Sequence, residues 1–303
     1  MLRAPPHRQA GMLFSLLTAA QWGLVPILLK ALQPQLGSPT LIWFRLIVPA
    51  FVVGAYCIIA RRKMAWRPLL TVRNFLLLSI TIGGFIGNYV FFMLGLQHIT
   101  PDASQVIGQL GPLLLLVGGV FIFKEPFTPL QWLGLATAII GMGLFFHHAL
   151  MALQLNQYVI GLLWIIIAAC GWGAFGLAHK ALSRSVHSQQ SLLIIYIIGA
   201  AIFFPTAEFT RLSALDGFSI AMLVWMSLST ALAYVTLAAG MARWDAARVS
   251  AVLTTTPLFA IGFAAALAHQ LPNYVHATDL DLLSTAGALL LVAGSGVAAL
   301  ARR

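Results

Sequence analysis

Apolar residues along this chain come in runs of about 20, separated by short stretches where Pro, Gly, polar and charged residues collect. Ten such runs are read, near residues 11–32, 39–60, 73–96, 103–123, 128–147, 159–182, 189–210, 217–240, 247–269 and 280–301. About 20 apolar residues are what a helix needs to cross a bilayer. The runs lack the alternation of a β-barrel, and every backbone polar group must be bonded within lipid, so they are read as helices. The pattern predicts an all-α integral membrane protein with ten transmembrane helices. The basic start at Arg3, His7 and Arg8 resembles a secretory leader, but the apolar run behind it is too long for one and has a second copy in mid-chain.

That second copy is the strongest signal. Gly11, Leu13, Ala19, Trp22, Gly23, Lys30, Ala31 and Leu32 match Gly161, Leu163, Ala169, Trp172, Gly173, Lys180, Ala181 and Leu182 at a constant offset of 150. Tyr89, Gly95 and Pro112 match Tyr234, Gly240 and Pro257 at 145, and Gly134, Gly141 and Gly143 match Gly287, Gly294 and Gly296 at 153. The chain thus divides into residues 1–150 and 151–303, with five spans in each half. An odd number of spans makes the second half enter the membrane in the opposite sense, so the repeats are inverted, the arrangement that underlies alternating access.

Composition agrees with the pattern and excludes a soluble fold. The 303 residues are 60% hydrophobic and 8% charged, with a mean hydropathy of +0.94, against roughly 25% charged in a soluble domain. The formal charge of +10 does not point to nucleic acid, because the basic residues lie between apolar spans. Cytoplasmic segments retain Lys and Arg. With the N-terminus inside, 14 of the 17 basic residues fall on that side, leaving Lys30, Arg45 and Arg211, so both termini are expected to be cytoplasmic. Cys57 and Cys170 sit within apolar runs and are read as buried small residues, with no disulfide or metal framework. No cofactor is expected; the partners are a small-molecule substrate and the bilayer, and the chain is expected to be a monomer or weak dimer.

The segment GLQHITPDASQVIGQLGPLLLLVGGVFIFKEPFTPLQWLGLATAIIGMGL closes the first half. With the two five-span halves it resembles the EamA branch of the drug/metabolite transporter superfamily over nearly the whole chain. The second half departs from the pattern: Glu125 has its counterpart near Gln270, and HQLPNYVHATDLDLL replaces a compact turn. The resemblance implies export of amino acids or related metabolites through a cavity between the halves, with aromatic amino-acid exporters as one subgroup, and an inner-membrane location.

Several residues could line such a cavity. Trp22 and Trp172 lie at mid-span, away from the interfaces where Trp concentrates; they either stack on a substrate or pack against Gly23 and Gly173. Gln105 and Gln109 share one helical face, and the repeat places Ser250 and Thr254 at the equivalent positions. Such polar groups hold helices together or face substrate. Pro112 and Pro257 follow each polar stripe and predict helix bends. Asn88, Tyr89 and Tyr234 offer amide and hydroxyl groups. Arg45, about a turn and a half into the second run, either snorkels outward or pairs with a substrate carboxylate. Among eight His residues, His179 alone is well inside a run and is a candidate for proton handling; none has a metal-binding spacing.

All seven carboxylates fall in loops or at span ends. Coupled carriers commonly keep one at depth, so a facilitated exporter is favoured over a proton-coupled one. A membrane-embedded enzyme would need a nucleophile and base, a metal cluster or paired carboxylates at one depth. A channel would need a charged ring or carbonyl filter. Neither pattern is evident; a packing-only scaffold predicts no saturable flux.

Overall fold

The computed structural model describes residues 6–61, 64, 66–124, 127–148, 157–241, 243, 249, 252–270, 272 and 280–300. Among them every regular element is helical. Helix α1 covers Pro6–Ile59 and is divided at Gly37, whose φ of 72° and ψ of 159° suit glycine alone. Its 54 residues would extend about 80 Å, far more than a bilayer core, so each limb is roughly one span. Then come α2 (Val72–Leu96), α3 (Pro101–Gly108), α4 (Leu110–Phe123), α5 (Pro129–Phe145), α6 (Gln157–Leu182), α7 (Ser188–Phe203), α8 (Gly217–Met241), α9 (Thr256–Gln270) and α10 (Leu282–Leu300). Seven of the described helical stretches are long and apolar enough to cross a membrane, the first being the two-limbed Gln9–Ile59; Pro129–Phe145 and Thr256–Ala268 are shorter apolar helices.

Three expected runs differ in detail. The run 103–123 is broken at Gln109 into α3 and α4. The run 189–210 ends as α-helix at Phe203, where Pro205 enters a 3-10 turn, and a second such turn covers Phe209–Ala214. Most of the first part of 247–269 lies outside the described residues, and α9 starts only at Thr256.

The surface is apolar, as lipid requires. Ile58, Phe51, Phe121 and Leu282 stand largely exposed, which would be costly in water but not against acyl chains. Several hydroxyl groups within the helices bond to the preceding turn: Thr81 Oγ1 donates to Leu77 O at 2.6 Å, and Ser227 Oγ to Leu223 O at 2.7 Å.

Helices pair mainly across the two sequence halves. The first limb of α1 packs on α8, α2 on α6, α5 on α10, and the second limb of α1 on α7. Small residues permit this. A Cβ added at Gly84 would lie 2.6 Å from Gly171 O, and one at Gly287 would lie 2.6 Å from Gly141 O. These seams carry polar clips. Asn88 Nδ2 donates to Ala168 O at 2.9 Å between α2 and α6, and Thr18 and Thr236 share a 2.7 Å hydrogen bond between α1 and α8. Between α5 and α10, Gln131 Nε2 reaches Ala298 O at 3.1 Å and Ser284 Oγ reaches Phe145 O at 3.2 Å.

Candidate functional site

Where the seams diverge they leave a cavity of about 540 Å³ walled by α1, α2, α3, α4, α6, α8, the start of α9 and α10. Trp22, Arg45, Asn88, Tyr89, Gln105, Gln109, Pro112, Trp172, Tyr234 and Thr254 all line it, so residues singled out from seven separate runs meet around one space. Ser250 lies outside the described residues. Two of the expected residues lie elsewhere. His179 hydrogen-bonds Ser191 Oγ at 3.0 Å and stacks on Phe175. Because the Ser191 hydroxyl donates onward to Ser188 O, His179 Nε2 is the donor, and the ring is a bridge between α6 and α7. Pro257 is the second residue of α9.

The two prolines correct the expectation of bent helices. Pro112 is third in α4, which starts after the break at Gln109, and Pro257 is second in α9, after the turn at Thr254 and Thr255. Each therefore sits in a first helical turn, where backbone N–H groups have no intrahelical acceptor and a missing one costs little. The helices are broken next to the cavity.

A third proline, passed over in the sequence reading, organises the wall. Pro26 stands four residues after Trp22 within α1 and has no N–H to donate, which leaves the Trp22 carbonyl without its usual partner. Gln105 Nε2 fills that role at 3.1 Å. The spacing of Trp22 and Pro26 is the signal that could have disclosed this bond. The Trp22 indole meets the Tyr234 ring edge-on at 6.1 Å. Tyr89 instead stacks near Phe85 at 4.8 Å and carries the Arg45 guanidinium over its face at 4.3 Å.

Lys30 ties the first limb of α1 to the end of α2. Its ammonium donates to Leu96 O, to Gln97 O at 3.0 Å and to Ile99 O at 3.2 Å, satisfying carbonyls that the end of α2 leaves unpaired. Gln33 adds a bond to Met93 O at 2.9 Å. Lys30 is thus a helix cap. The cavity lining also includes Lys180, Ala298 and Ala299, and Lys180 and Arg184 stand over the Phe123 ring at 4.9 and 5.2 Å.

Charges outside the cavity serve helix ends. Asp102 opens α3 and, although at a span end, is buried. Asp216 and Asp281 accept from the backbone N–H of Ser219 and Ser284 at 2.8 and 2.7 Å. Hydrogen bonding to Ser219 holds the Asp216 carboxyl below its usual range, and hydrogen bonding to Ser284, helped by His147, does the same for Asp281. The second Asp281 oxygen lies 3.2 Å from Nε2 of both His147 and His148, a grouping that spans α5 and α10 and has no signature in the sequence spacing.

A model of the EamA-like transporter family matches residues 9–146 and 159–296. An uncharacterized inner membrane transporter of Escherichia coli K12, YhbE, is 34% identical over 295 residues, which is 97% of this chain and 92% of that protein. An uncharacterized transporter of Haemophilus influenzae is 33% identical over 97% of this chain and 95% of its own length. A crystal structure of a protein 18% identical superposes with a TM-score of 0.63 over 96% of this chain and 98% of that one, which shows a shared fold.

Proposed function

Because the chain belongs to the EamA-like transporter family, we propose that it exports small metabolites, neutral or aromatic amino acids foremost, across the inner membrane by alternating access. The halves 1–150 and 151–303 act as inverted repeats, with ten spans and both termini in the cytoplasm. The observation that carries this reading is the cavity itself, which takes Trp22 and Tyr89 from the first half and their repeat partners Trp172 and Tyr234 from the second. Walls drawn from both halves can exchange their closed end when the halves exchange conformations.

The lining suits a bulky neutral or zwitterionic solute. Indole and phenol rings supply apolar area and faces for an ammonium group, and Gln105, Gln109 and Asn88 supply amides. No described lining residue is Asp or Glu, which favours facilitated movement over ion coupling. Nor does the lining pair a nucleophile with a base, so catalysis has no support there.

Proteoliposomes holding the purified chain test this with a panel of radiolabelled amino acids, with and without an imposed pH gradient. Saturable flux without the gradient is expected, reduced at least tenfold in Trp22→Ala. Flux only with the gradient would overturn the facilitated mechanism; none under either condition would overturn amino acids as the cargo.

A further inference from the structure

Arg45 presents an electrostatic problem that the protein leaves open. It lies on the second limb of α1, about 12 Å along the helix from Gly37, and its side chain borders the cavity. Its Nε is buried with no hydrogen-bond partner. The guanidinium makes no hydrogen bond or ion pair among the described residues; it stands over the Tyr89 ring at 4.3 Å. A ring face attracts the cation but accepts none of its N–H bonds. Tyr196 and Tyr234 are also near enough to feel its charge, and phenols do not neutralise it.

Among the described residues no carboxylate serves it as counter-ion. The described carboxylates are committed elsewhere: Glu208 pairs with Arg211, Asp216 and Asp281 cap α8 and α10, and Asp102 sits by Tyr158. The repeat gives Arg45 no partner either, since residues 186–210 contain no Lys or Arg. A lone cation at depth is expensive to hold, by several kcal/mol. Facing a cavity and lying over Tyr89, this one has not snorkelled to the interface. It is a guanidinium fork with donors and no acceptor, the geometry that receives a carboxylate in two parallel hydrogen bonds.

We infer that Arg45 is the carboxylate anchor of the cavity, and that the transported molecules are organic acids or amino acids bearing a free carboxylate next to an apolar side group. The inference rests on the transport reading and narrows its cargo. Amines and amides of the same shape are excluded by the unpaired fork, because they leave its charge unanswered. The carboxylate end then lies by Tyr89, with the side group toward Trp22 and Trp172.

The test uses four compounds that share one ring: phenylalanine, its amide, phenethylamine and 3-phenylpropionate. Each is measured for ligand-induced thermal shift on the detergent-solubilised full chain, and for competition with amino-acid flux in proteoliposomes. Wild type should discriminate the two acids from the amide and the amine by at least tenfold. Arg45→Gln should erase that discrimination while Arg45→Lys keeps part of it, with both variants monodisperse by size exclusion. Equal response of wild type to acid and amide, with flux intact, would overturn the anchor and leave transport standing. No binding and no flux for any member or for other amino acids would overturn both. Stabilisation by chloride or acetate equal to that by phenylalanine would reduce Arg45 to a general anion site and overturn the assignment.

Discussion

The α5–α10 seam and the cavity are built from the same kinds of helix, yet one is closed to backbone contact and the other holds about 540 Å³ of space. Along the seam Gly134, Gly141, Gly287 and Gly294 face one another, so that a Cβ added at Gly294 would stand 2.6 Å from Gly134 O. Around the cavity the facing residues are Trp22, Tyr89, Trp172 and Tyr234, and large side chains prop the backbones apart. In lipid, where apolar burial supplies little drive between helices, the size of the facing residue decides which surfaces close. Glycine makes a joint and aromatic residues make a chamber.

The contrast is broken most severely at the joint. Gly287→Leu drives a side chain into the backbone of α5 at Gly141 and Phe145, where nothing flexible can yield. Overpacking commonly costs about 1–3 kcal/mol even among side chains, so this variant should lose the monodisperse peak in size exclusion. On the chamber side, Gln105→Leu removes the donor that answers the Trp22 carbonyl. A lost bond of that kind costs about 1 kcal/mol, so the fold should survive with a modestly lower Tm, while flux falls because the indole is no longer fixed.

A weaker effect is expected where Asp281 caps α10 beside His147 and His148. Its carboxyl is held below its ordinary range of about 3.9, so its stabilising contribution is present above that pH and is lost as the pH falls through the depressed value. The Tm gap between wild type and Asp281→Asn should therefore be present at neutral pH and close on acidification below about pH 4. The smallest effect belongs to Gly143→Ala. Gly143 shares its helix with Gly141 but has nothing within 4 Å of an added Cβ, and the stability of this variant should stay within about 0.5 kcal/mol of wild type. A large loss there would show that the open space beside Gly143 is occupied in the folded protein.

The helical class, the approximate runs and the cavity residues were legible because lipid imposes one rule on every segment and the repeat marks equivalent positions twice. Trp22 with Trp172, and Tyr89 with Tyr234, needed only the offsets to be paired. The breaks at Gln109 and before Thr256 were less legible, since apolar content continues through them and only the backbone records the interruption. The cap that Lys30 forms on α2, like the meeting of His147 and His148 with Asp281, depends on loops folding over helix ends. Neither follows from local spacing. The burial of Asp102 was hidden for the same reason: a span end in sequence is covered in space by neighbouring helices.

The joint also determines where this molecule can flex. With carbonyls and Cα atoms in direct apposition, α5 and α10 cannot slide by one residue, about 1.5 Å, without lifting apart, and Gln131 and Ser284 bolt both ends of the pair. On the proposed alternating-access reading the pair would travel as a single beam. Bending would then fall to the interrupted ladders at Gln109 and Thr255, so the chamber would work as a jaw whose hinges are inside the mouth and whose spine does not bend.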